Sequence, residues 1–104
     1  MSYRRYEILL PTRYNDGTPV EAEKIDAALM ELSAHFGGLT FRPEHLVGIW
    51  FHRGQRFEDQ NVCVAVDIEE TPEAAAFFIR YKEVLKERFR QIEIYIVSYE
   101  VRIT

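Results

Sequence analysis

Polar and apolar residues alternate from Tyr3 to Leu10, with Tyr6, Ile8 and Leu10 on one face and Arg5, Glu7 and Leu9 on the other. That period of two predicts a β-strand, ended at Pro11, which has no N–H to give to a ladder. Asn15-Asp16-Gly17 then supplies turn chemistry. From Ala22 the period changes: Ala22, Ile25, Leu29, Leu32 and Phe36 recur at steps of three and four, which predicts an amphipathic helix. Thr18-Pro19-Val20-Glu21 reads as its start, with Thr18 as cap, Pro19 in the first turn and Glu21 closing a capping box. Gly37-Gly38 ends it, one of the two as a left-handed cap.

Leu39 to Glu44 gives no clean signal, because Pro43 interrupts it. Val47, Ile49, Trp50 and Phe51 predict a second strand over 46–52, and the apolar run Val62 to Ile68 a third. Arg53-Gly54-Gln55 and the polar stretch to Asn61 read as a solvated connection, giving a hairpin with a ragged, charged tip. Thr71-Pro72-Glu73 repeats the cap-plus-proline start, and a second helix is expected to about Phe89. Acids cluster at its N-terminal end and Lys82, Lys86, Arg88 and Arg90 at the other, as the helix dipole favours. Alternation from Ile92 to Ile103 predicts a fourth strand, the longest of the chain.

The element order is therefore β-α-β-β-α-β. It predicts an α+β, ferredoxin-like fold: a four-stranded antiparallel sheet in order 4-1-3-2, with two helices on one face. The length of 104 residues fits a single domain, 1–104, with one core. Cys63 is the only cysteine, so no internal disulfide is possible. The N-terminus lacks the apolar run of a signal peptide, and no stretch approaches the ~20 apolar residues that span a bilayer. A cytoplasmic protein with no membrane contact is expected. The net charge of −4 argues against a sequence-blind nucleic-acid binder. The third strand has no aromatic or basic residue, which argues against base stacking as in RNA-binding domains of this order.

With both helices on one side, the other sheet face is open. The residues assigned to it include Arg5, Glu7, Trp50, His52, Cys63, Tyr95, Val97 and Tyr99. An apolar open face and a long edge strand both predict self-association, through the face or through strand four. His52 is the candidate acid or base, with Arg5, Glu7, Trp50 and Tyr95 as the floor of a small-ligand pocket between two sheets. A dimer interface with satisfied polar groups is the preferred reading of the same set. His35, His45, His52 and Cys63 lack metal-ligand spacing, and no cofactor motif is present, so neither a metal nor a cofactor is expected. Asp67, Glu69 and Glu70 could hold Mg²⁺ for nuclease chemistry, but acids before a helix N-terminus are favoured on electrostatic grounds alone.

Arg5-Tyr6-Glu7-Ile8-Leu9-Leu10-Pro11, Tyr14-Asn15-Asp16-Gly17, Phe36-Gly37-Gly38-Leu39-Thr40 and Ile92-Glu93-Ile94-Tyr95 give the chain a resemblance to a family of short uncharacterised bacterial proteins. That resemblance implies no activity. In topology the chain also resembles dimeric α+β-barrel proteins, whose open sheets pair around a pocket. It is similar as well to small ferredoxin-like nucleases of CRISPR systems, which carry an aspartate where this chain has Leu10-Pro11. The function expected is a homodimeric binding or interaction domain. A small α+β-barrel enzyme using His52 and a Mg²⁺-dependent nuclease are the alternatives.

Overall fold

The computed structural model describes all residues from Met1 to Thr104. The elements are β1 (Tyr3–Pro11), α1 (Ala22–Phe36), β2 (Thr40–His52), β3 (Gln55–Glu69), α2 (Pro72–Arg88) and β4 (Ile96–Val101). They form one antiparallel sheet in the order β2-β3-β1-β4, the predicted topology read from the other edge.

β1 and β3 are the centre of the sheet. Their pairing sets Tyr6 against Val66, Ile8 against Val64 and Leu10 against Val62. This apolar strip lies under Ala28 and Leu32 of α1 and Phe78, Tyr81 and Leu85 of α2, and together they form the core. Tyr6 stacks on Phe78 with ring centroids 4.0 Å apart. A salt-linked cluster ties the helices together at the periphery. Tyr81 Oη donates to Glu31 Oε1 at 2.7 Å, and Arg88 grips both oxygens of Glu31 at 2.8 and 2.7 Å.

α2 starts as the sequence predicts, with the Thr71 side chain accepting from the Ala74 N–H at 3.1 Å and Pro72 in the first turn. The start of α1 differs from the expected capping box. Asp16 Oδ1 accepts from both the N–H and the hydroxyl of Thr18, and Pro19 bridges to Arg13. Val20 N–H donates to the Thr12 carbonyl. Thr18 to Val20 thus close a loop that prolongs β1, and the helix begins at Ala22 behind Glu21, whose side chain caps nothing. Glu21 instead receives the Tyr14 hydroxyl. The α1 C-cap is Gly37, left-handed at φ 86° as its lack of a Cβ allows.

Three further expectations change. β2 starts at Thr40 and runs through Pro43, because it is an edge strand and its register shifts between Arg42 and Leu46. A proline is tolerated where the ladder is already broken and the outer side is unpaired. The connection after β2 is no ragged loop: Arg53 (φ 52°) and Gly54 (φ 78°) make a two-residue turn, and β3 begins at Gln55. Positive φ at both central positions matches the twist of the flanking strands. Finally, β4 spans only six residues and is the shortest strand. Arg90 turns left-handed (φ 54°) as the chain leaves α2, and Ile92 to Tyr95 approach the sheet as irregular backbone that anchors Ile94 in the core.

The two predicted caps should behave differently under mutation. In urea unfolding Thr71→Ala is expected to cost about 1 kcal/mol, as for a true N-cap, whereas Thr18→Ala should cost only a few tenths. Equal costs would contradict the assignment of the α1 start.

Candidate functional site

β3 has fifteen residues, but β1 pairs only with Asn61 to Glu69. Thr12 still donates to the Gln60 carbonyl, but from Gln55 to Asp59 the single partner of β3 is β2, so the two strands leave the sheet as a two-stranded arm. On one side of the arm lie Val47, Ile49 and Phe51, exposed at 60%, 53% and 69%. By alternation they continue the helix-facing side of the sheet, beyond the reach of either helix. On the other side Trp50 stacks on its cross-strand partner Phe57 at 4.4 Å and donates from Nε1 to Asp59 Oδ2 at 2.7 Å. Back on the first side, Arg56 and Glu58 lie opposite Phe51 and Ile49 and form an ion pair at 2.7 Å. These contacts hold the arm as a preformed hairpin while leaving its apolar side chains uncovered.

The open face over the sheet proper has a different character. Arg5 donates to both oxygens of Asp67 at 2.7 and 2.9 Å, directly across β1 and β3. Tyr99 Oη donates to Glu7 Oε2 at 2.8 Å across β1 and β4. The paired Arg5 guanidinium holds the Asp67 carboxyl below its ordinary range, and Asp67, with Tyr99, raises Arg5 in turn. Leu9, Cys63, Ala65 and Val97 fill the space between these polar pairs. Cys63 and Ala65 are only 3% and 4% exposed, shielded by their own neighbours. Burial, then the Glu7 charge, pushes the Cys63 thiol up and keeps it protonated.

The register therefore divides the residues singled out from the sequence. Arg5, Glu7, Cys63, Val97 and Tyr99 do share the open face. Tyr95 lies just before β4, its carbonyl accepting from Leu9 N–H at 3.0 Å and its ring largely exposed. Trp50 and His52 lie on the arm, where His52 pairs with Gln55 beside the turn. Gln55 and Asp67 are twelve positions apart along β3, roughly 35–40 Å at the usual strand rise. The whole molecule is 43 Å in its longest dimension. Within one chain His52 is thus far from Arg5 and Glu7, and the expected aromatic pocket around it does not form there. The apolar surface expected on the open face is concentrated on the arm instead.

Of the three acids at the end of β3 and just beyond it, Asp67, Glu69 and Glu70, two are held by arginines. Asp67 is held by Arg5, and Glu70 accepts from Arg4 Nε at 2.8 Å. No group of three or more His, Cys, Asp or Glu side chains is arranged to hold a metal ion. No helix is long and apolar enough to cross a membrane. The arm is the feature that the sequence reading missed. Its signal was present in the alternation of Val47, Ile49 and Phe51 continuing past the point where any helix could cover it.

Comparison with known proteins extends the fold but not the chemistry. No protein-family model matches the chain, and no curated protein matches its sequence. Among solved structures, it is similar to a divalent cation tolerance protein (CutA1) from Thermus thermophilus, at 19% identity and a TM-score of 0.66. That match covers 98% of this chain and 86% of the other. A phage SAM lyase without ligand matches at 16% identity and a TM-score of 0.67, over 95% and 81% of the two chains. A phage SAM lyase bound to S-methyl-5′-thioadenosine matches at 14% identity and a TM-score of 0.65, over 97% and 90%. All are small α+β proteins of this topology, and at these identities the likeness is one of fold.

The lowered carboxylates fix the sign of the pH dependence. Asp67, Glu31 and Glu93 are each held below their ordinary range, by Arg5, Arg88 and Lys82 respectively. Their contribution is complete above the unfolded-state pKa of about 4 and is lost as pH falls through the lower folded values. Melting temperature should be nearly flat from pH 8 to 5 and drop below about pH 4. Asp67→Asn should shrink that drop; a variant curve parallel to that of the parent protein would show that the Arg5 pair contributes nothing.

Proposed function

We propose that this chain is a self-associating binding domain, a homo-oligomer held together by the β2–β3 arm. The observation that carries this reading is the exposure of Val47, Ile49 and Phe51 on an ordered hairpin that no part of its own chain can bury. An apolar side of this kind, continuous with a free sheet edge, is a surface that proteins ordinarily cover. A homodimer formed by reciprocal exchange of arms is the smallest assembly that would cover it. Assembly would also bring the arm tip, with His52, against another copy. A pocket between copies could then form that a single chain does not contain.

The test is solution mass by size-exclusion chromatography with light scattering. The parent protein should run at a multiple of 12.3 kDa, and Phe51→Asp, which places a charge in the contact, should reduce it to the single-chain mass while keeping its circular dichroism. A parent protein that is monomeric at about 100 μM, a concentration at which any stable interface is saturated, would sink the proposal.

A second reading is favoured by the open face. Arg5, Asp67, Glu7 and Tyr99 are already fixed by one another, Arg5 and Glu7 half-buried and Asp67 and Tyr99 open to solvent, which is the condition for low-cost recognition of a small polar ligand. The phage SAM lyase fold-mates make a sulfonium or thioether nucleoside the first ligand class to try. Adding S-methyl-5′-thioadenosine or S-adenosylmethionine at saturating concentration should then raise the melting temperature by at least about 5 °C. No shift with either compound at about 1 mM would remove this ligand class.

A further inference from the structure

Two sheet edges in this chain are unpaired, and they complement each other. The outer edge of β2 is free along Leu46 to His52, seven residues of arm backbone. The outer edge of β4 is free along its six residues, Ile96 to Val101. Beside β4 on the helix side runs an open groove of about 270 Å³ between that strand and α2, floored by Tyr6, Phe78 and Ile96. Its outer wall carries Ile79, an apolar residue 72% exposed on α2. The chain thus has one strand-shaped projection with an apolar row, Val47, Ile49 and Phe51, and one mostly apolar recess beside Ile96 to Ser98 of β4, and neither is filled within a single copy.

We infer that the arm of one copy pairs along β4 of another, seating Val47, Ile49 and Phe51 over the groove between β4 and α2. The inference rests on the self-association proposed above and names the surface that receives the arm. Three observations support a second copy as the occupant. The arm segment of the free β2 edge, Leu46 to His52, is long enough to pair along all six residues of β4. The apolar side of the arm has the helix-facing parity of its own sheet, so a sheet continued from β4 into the arm can set it against the helix layer of the acceptor. The three arm side chains present on the order of 300–400 Å² of apolar surface, the size of the largest apolar patch on a typical monomer, which is often functional. Each copy gives one arm and receives another, so every chain takes part in two such contacts. Their combined area then reaches the range of stable protein interfaces, roughly 1,200–2,000 Å². Pairing also satisfies backbone N–H and C=O groups on both edges, which gives the contact a direction that apolar burial alone lacks.

The test mixes two variants that each add one cysteine, Ile49→Cys on the arm and Ser98→Cys on β4, after joint refolding, and treats them with a short bismaleimide. Cys63 stays in place, since it is buried. The mixture should give predominantly Ile49→Cys to Ser98→Cys cross-links, and each variant alone should give little. Independently, Ile79→Asp should lower the mass to that of one chain, although it lies on α2 and not on the arm. An assembled protein that yields only cross-links between two Ile49→Cys chains, or whose mass Ile79→Asp leaves unchanged, overturns the groove as acceptor while self-association stands. A protein that is monomeric from the outset overturns both.

Discussion

The length mismatch between β3 and β1 is the constraint on which the rest of the molecule depends. β1 can pair with β3 only from Asn61 to Glu69, because Pro11 ends it and the chain then turns back through Thr12 to Val20 to reach α1. Past Gln60, whose carbonyl accepts from Thr12, the five positions Gln55 to Asp59 of β3 have no second neighbour, and neither helix extends over them. A two-stranded ribbon with no layer beneath it is marginal in water. This one is held by its turn, by the Trp50–Phe57 stack and by the Trp50–Asp59 hydrogen bond. Those contacts order the arm but leave Val47, Ile49 and Phe51 in solvent. The fold is complete over the sheet and incomplete over the arm.

The sheet itself shows how the same alternation gives two faces of different use. On the helix side, Tyr6, Ile8, Leu10, Val62, Val64 and Val66 are removed from water and supply most of the drive to fold. On the open side, cross-strand neighbours are polar pairs, Arg5 with Asp67 and Glu7 with Tyr99, and the positions between them are small or aliphatic. These half-exposed pairs add little net stability. What they do is fix Arg5, Asp67 and Glu7 in place, each held by an opposite charge or a hydrogen-bonding neighbour. A ligand or partner therefore meets an ordered surface and need not order it on binding.

Most of the fold was legible because its signals are local. Period-two alternation in β1, the three-and-four stripe of α1, the Thr71-Pro72 start of α2 and the Gly37 cap all act over a few residues. The topology followed from element order. The errors came where tertiary partners decide. Thr18 looks like a cap until Asp16 takes both its N–H and its hydroxyl. Ile92 to Tyr95 alternates like a strand, but Ile8, opposite Ile96, is the last β1 residue in the ladder to β4. Arg53-Gly54 makes a tight turn without the usual Asn or Asp, so the start of β3, from Gln55 to Gln60, reads as a charged loop beside the predicted strand 46–52. Residue parity on the open face was readable, which is why Arg5, Glu7, Cys63, Val97 and Tyr99 do share it. Distance along the ribbon was not readable, and it is distance that separates His52 from them.

Hydrogen–deuterium exchange over β2, measured at high and low protein concentration, tests the central claim most directly, because only a second chain can protect the outer edge of the arm. The backbone amides of Leu46 to His52 should exchange slowly at about 100 μM, slower than one β3 ladder can provide, and accelerate markedly on dilution or in Phe51→Asp. Equally fast exchange at both concentrations, with the sheet amides of Tyr6 to Leu10 still protected, would show that the arm stands alone in solvent and would contradict arm-mediated assembly.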